Sequence, residues 1–113
     1  MRSRTVVLRE EHKAGDFRRL TARVTEEGDL SIEGQDLGSG VEGFWGSGLT
    51  EYEWAITVRA SEIPRVVAAL GGKEGDDVLE LLSARCSENE SYASRTFFEQ
   101  HGIPTEFSSR VGD

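Results

Sequence analysis

The chain has 113 residues, of which 36% are hydrophobic and 30% charged, so it holds enough apolar material for one core and is too short for a second independent one. No apolar run approaches the roughly 20 residues that a membrane-spanning helix needs, and the brief apolar stretch after Arg4 is too short for the core of a secretion signal, so a cytoplasmic protein is expected. A formal net charge of −8 opposes long-range attraction to nucleic acid and favours a basic partner.

The charge is uneven. Arg2, Arg4, Arg9, Lys13, Arg18, Arg19 and Arg23 face only Glu10, Glu11 and Asp16 in the first 25 positions, so nearly all the excess acid lies downstream. Lys13 and Lys73 are the only lysines, a bias towards arginine that fits a GC-rich coding sequence. The single cysteine, Cys86, excludes an intramolecular disulfide and a multi-cysteine metal site, and its helical setting suits a small buried hydrophobe.

In chain order, Val6 to Glu10 reads as a short first strand, with His12 in the turn that follows. "FRRLTARV" is a second strand, with Leu20, Ala22 and Val24 on its drier face and Phe17, Arg19, Thr21 and Arg23 on the other. A turn at Gly28 leads into a third strand, where Leu30 and Ile32 alternate with Ser31 and Glu33. After a glycine-rich loop at 38–49, "EYEWAITVR" gives the clearest alternation: Tyr52, Trp54, Ile56 and Val58 point one way, and Glu51, Glu53, Thr57 and Arg59 the other. One face of the sheet is therefore expected to be buried and the other wet.

The period changes at Ser61. Ile63, Val66, Val67 and Leu70 fall at helical spacing behind a Ser61 cap, with Pro64 in the first turn and Gly71 as the stop. "DDVLELLSARC" starts a second helix at Asp76 or Asp77 and sets Val78, Leu81, Leu82 and Cys86 on one stripe. A third helix is predicted over Ser91 to His101, burying Tyr92 or Ala93 together with Phe97. Gly102 and Pro104 end it, and Ile103 packs back on its last turn. "TEFSSR" closes the fold as an edge strand carrying Phe107. Strands first and helices second predict an α+β domain over residues 1–113, an antiparallel sheet of four to five strands followed by two to three helices packed on one face.

The runs "GLTEYEWAITV", "VVAALGG", "DDVLELL" and "HGIPTEFSSR" resemble a family of small acidic actinobacterial proteins, Streptomyces-like, with no assigned function. The resemblance spans most of the chain and implies a bacterial protein. It carries over no catalytic or binding residue.

Motifs for chemistry are sparse. Gly38, Gly40, Gly43, Gly46 and Gly48 form no phosphate loop, since no Lys-Ser or Lys-Thr follows, a strand comes next, and Glu42 would repel a phosphate. His12 and His101 lack H-x-x-x-H or H-E-x-x-H spacing, and no serine sits in a G-x-S-x-G setting. Glu33, Glu51, Glu53, Arg19, Arg23 and Arg59 are expected to form cross-strand ion pairs on the wet face. Asp36, at the mouth of the glycine-rich loop, is the best placed carboxylate for a site. No cofactor is indicated, and an enzyme is less expected than an interaction or accessory module.

Phe44 and Trp45 in the glycine-rich loop either cap the open end of the sheet or supply a partner-binding pair bordered by Glu42 and Glu51. The partner would then be a protein with a basic surface, a basic toxin among the options, or a second copy docked through a helix stripe. Two alternatives stay open: a small molecule or substrate held by polar groups distant in sequence, and single-stranded nucleic acid against the basic N-terminal strands.

Overall fold

The computed structural model describes residues 4–13, 16–37 and 51–112. Five strands form one antiparallel sheet in chain order: β1 (Arg4–Lys13), β2 (Asp16–Val24), β3 (Leu30–Leu37), β4 (Glu51–Val58) and β5 (Glu106–Gly112). Helices α1 (Ile63–Ala69), α2 (Val78–Cys86) and α3 (Arg95–Gln100) come between β4 and β5 and pack on one face, as the change of period predicts. The glycine-rich stretch 38–49, with Glu42, Phe44 and Trp45, lies outside the described residues.

Register builds the core. Ala22, Ile32 and Ile56 are opposed across β2, β3 and β4, as are Val24, Leu30 and Val58. In a pleated sheet directly opposed residues share a face, so these rows make one apolar strip at one end of the sheet. The helices cover that strip with Val66, Val67, Leu70, Val78, Leu79, Leu82, Phe98 and Cys86, all buried. Ile63, Ala69 and Leu81 pack against this cluster only partly buried.

Local chemistry sets the helix ends. The Asp77 carboxylate accepts the Leu79 N–H at 2.9 Å and caps α2, as expected. Gly71 takes a φ of 83° at the end of α1, and Arg85 Nε donates to the Leu70 carbonyl at 2.9 Å, satisfying an acceptor the helix leaves open. Gly102 ends α3 with a φ of 69°, and Ile103 is buried behind it.

Four expectations need correction. β1 extends to Lys13, so His12 is a strand residue packed on Phe17, with ring centroids 4.8 Å apart. The register of β1 against β2 shifts between Val7 and Arg9, a bulge that fits the extra length into the pairing. Ser61 caps nothing: a short 3₁₀ turn (Ala60–Glu62) precedes α1, and the Asp29 carboxylate from the β2–β3 turn accepts the Ala60 N–H at 2.8 Å. The stretch after α2 is not one helix. A 3₁₀ turn (Glu90–Ala93) ends at Ser94, whose extended backbone and hydroxyl, accepting the Phe97 N–H at 3.1 Å, start α3 afresh. That restart rotates Phe98 into the core and leaves Phe97 half-buried, edge-on to Tyr92.

Asp77 also ties the two layers, because Arg4 of β1 donates to its second carboxylate oxygen. Burial alone would raise the Asp77 carboxyl, but Arg4 and the Leu79 and Glu80 backbone N–H groups outweigh it and hold the group below its ordinary value of 3.8. A lowered folded-state value gives stability that is complete above 3.8 and is lost as pH falls through the folded value. In Asp77→Asn the amide oxygen still caps α2, so only the charge is removed. In urea titrations across pH the wild-type advantage over Asp77→Asn should be constant near neutrality and vanish in acid, whereas Asp77→Ala should lose about a further 1 kcal/mol at every pH.

Candidate functional site

Burial along β4 falls in one direction. Val58 and Ile56 are buried, whereas Trp54 and Tyr52 are only half-buried because the helices do not reach that end of the face. The bulge in β1 sets Arg9 opposite Leu20 and Glu11 opposite Arg18, so charged residues occupy the helix-side face there. Arg18 is in turn opposite Asp36.

The result is a cleft of about 370 Å³ between the uncovered end of the sheet and the 3₁₀ turn after α2. Leu20, Gly34 and Trp54 form its floor, Arg9, Glu11, Arg18 and Asp36 its charged side, and Asn89, Ser91, Ala93 and Ser94 its far wall. Arg9 Nε lies 3.0 Å from Glu11 Oε1, and Arg18 Nε lies 3.1 Å from Asp36 Oδ1. Paired charges around an apolar floor resemble the anatomy of a binding surface, with a dry centre and a polar rim.

The floor depends on one glycine. Gly34 and Trp54 are directly opposed, and the indole lies so close over the Gly34 backbone that a Cβ there would fall 2.1–2.4 Å from Cε2, Nε1 and Cζ2. No side chain other than hydrogen leaves room for the ring.

The outer face is different. An open hollow of about 680 Å³ is lined there by Arg19, Thr21, Glu33, Gln35, Glu53 and Ser108 among others. On this face Arg23 and the Ser31 hydroxyl both donate to Glu33 Oε2 at 3.0 Å and Gln35 Nε2 donates to Glu53 at 3.3 Å, while Arg23 Nε is buried without a hydrogen-bond partner. Of the cross-strand ion pairs expected on the wet face, Arg23–Glu33 forms, whereas Arg59 pairs at 3.2 Å with Glu106 of β5. By register Tyr52 and Trp54 share the helix-side face with Asp36 and Gly34, whereas Arg19 and Arg23 alternate to the outer face.

The sequence-based candidates are dispersed. Asp36 reaches the cleft, engaged by Arg18. Glu51 opens β4 opposite Leu37, at the same end of the sheet. His12 lies on β1, and His101 at the end of α3 stacks on Phe97 at 4.4 Å with Nδ1 2.9 Å from the Phe97 carbonyl; neither lines the cleft. Among the described residues, no three metal-ligating side chains lie together. Glu11 escaped sequence reasoning as a site residue, and Arg9 and Arg18 entered it only among the basic N-terminal residues, because only the bulge and the cross-strand register assemble the three. No family model, curated protein or solved structure matches the chain.

Replacing Gly34 with alanine should displace the indole and cost about 1–3 kcal/mol. In a Trp45→Phe background, where Trp54 is the sole emitter, Gly34→Ala should also shift the fluorescence to the red. Trp54→Ala should cost about 2 kcal/mol, less than the roughly 3–5 kcal/mol of a fully enclosed aromatic, because the ring is only half-buried. Denaturant titration with emission detection reads both.

Proposed function

We propose that the protein is an accessory module that binds another protein at the uncovered end of its helix-side face. The observation that supports this is the cleft itself: a half-buried tryptophan on a glycine, flanked on one side by two arginine–carboxylate pairs, at the end of the sheet the helices leave open. Tryptophan and arginine are enriched among residues that dominate binding energy, and an apolar side chain of the partner would cover Leu20 and Trp54 while the pairs exclude wrong contacts. A net charge of −8 steers a basic partner towards the domain, so association should slow as salt rises. Glu42, Phe44, Trp45 and Glu51 are assigned to the same partner surface on sequence grounds, since they follow Leu37 in the chain and Leu37 pairs with Glu51 at this end of the sheet.

A second reading rests on the size and charge of the cleft. About 370 Å³ lined by both signs of charge suits a small zwitterion, such as an amino acid, as well as an inserted side chain.

The test uses Ser91, which is exposed on the far wall and outside the core. A photo-crosslinking residue at position 91 should trap the partner in the native cell, and calorimetry with that partner purified should then give an affinity. Ser91→Trp, which fills the cleft, should keep the melting temperature and weaken binding at least about tenfold, equivalent to about 1.4 kcal/mol. Unchanged affinity in Ser91→Trp would refute docking at the cleft. A rise in melting temperature with free amino acids, lost in Ser91→Trp, would favour the small-molecule reading.

A further inference from the structure

The sheet has two edges, and they are built differently. Along β1 a bulge interrupts the register and a charged run from Arg9 to Lys13 follows, both of which discourage an added strand. β5 pairs with β4 without irregularity from Glu106 to its end, contains no proline, and has no strand beyond it among the described residues. Phe107 stands on its helix side with 47% of its surface exposed, covered in part by the Arg95 guanidinium 5.6 Å from the ring centre.

We propose that β5 pairs antiparallel with β5 of a second copy of this chain, joining two five-stranded sheets into one of ten strands. The charge pattern of the strand selects both the partner and the register. Glu106, Ser108 and Arg110 oppose Thr57, Ala55 and Glu53, so all three positions belong to the outer face. A two-fold axis through Ser108 sets Glu106 of each copy opposite Arg110 of the other, so one self-pairing yields two opposite-charge pairs. Centring on Phe107 or Ser109 instead leaves both charges without a directly opposed partner. The same axis sets Phe107 opposite Ser109 of the second copy on the helix side, where the incoming strand shields the exposed ring. Glu106 is accessible for this, since its ion pair with Arg59 is itself at the surface, with 66% of the Glu106 side chain exposed.

Seven residues on each side make a small interface, below the roughly 1,200 Å² of stable complexes, so the dimer should be weak and concentration-dependent. Sedimentation should show the average mass rising from monomer towards dimer with concentration. Glu106→Arg and Arg110→Glu should each weaken the dimer about tenfold or more, and the double exchange should restore it. Directly opposed antiparallel residues lie about 4.5–5.5 Å apart at Cα, within disulfide range, so Ser108→Cys should cross-link to itself on mild oxidation. Ser109→Cys and Ser91→Cys should not. A wild-type chain that stays monomeric at every concentration overturns the proposal, as does failure of the double exchange to restore association. Cross-linking through Ser109→Cys in place of Ser108→Cys overturns it equally. Glu106, Ser108 and Ser109 are exposed, and no residue of β5 lines the cleft, so these outcomes are independent of partner binding there.

Discussion

Strands of seven to ten residues are about 23–33 Å long, whereas helices of six to nine residues extend only about 9–14 Å. Here the helices cover one end of the sheet and stop. That limit governs the rest of the structure, because a sheet face apolar along its whole length would leave a large bare patch. Instead the face grades from Val58 and Leu30, fully enclosed, through Leu20 and Trp54, half-covered, to Arg18 and Asp36, which form an ion pair in solvent. The cleft is the middle of that gradient, where apolar floor and charged rim meet.

Two devices make the gradient stable. Trp54 covers backbone that no helix covers, and Gly34 lets it lie flat enough to do so. The bulge in β1 turns Arg9 and Glu11 onto the helix side where apolar residues would have no cover. Elsewhere the layers are fastened by polar contacts from distant parts of the chain. Arg4 reaches Asp77 at the start of α2, Asp29 caps the turn before α1, and Arg85 closes the end of α1. Asp77, Asp29 and Arg85 each bring a charged group to unpaired backbone at the end of a helix or 3₁₀ turn, carboxylates at the starts and a guanidinium at an end. The excess acid of the chain therefore coexists with a core that contains no charged side chain among the described residues.

The sequence carried much of this fold in local patterns. The alternation of Tyr52, Trp54, Ile56 and Val58 identified the buried face of β4, and Asp77, Gly71 and Gly102 marked helix ends, because a period-2 strand, a side-chain cap and a left-handed glycine each depend on near neighbours. Misreadings came where neighbours mislead. The polar run from Glu11 to Lys13 has the composition of a turn, yet pairing with β2 makes it strand. Phe97 and Phe98 are adjacent, and the choice between them followed from Ser94, which breaks the chain direction to cap α3.

What the sequence determined by itself is the class of structure: strands then helices, one wet sheet face, and the identity of most core residues, since alternation and helical spacing are written in the order of the chain. What only the tertiary structure decided is everything that depends on register and length. The meeting of Arg18 with Asp36, the bulge that turns Arg9 and Glu11, the indole over Gly34 and the exposed strand edge at Phe107 all join positions far apart in the chain or depend on where cover runs out. No local pattern encodes them, because a residue's face and cover are set by which strand opposes it and how far the helices extend.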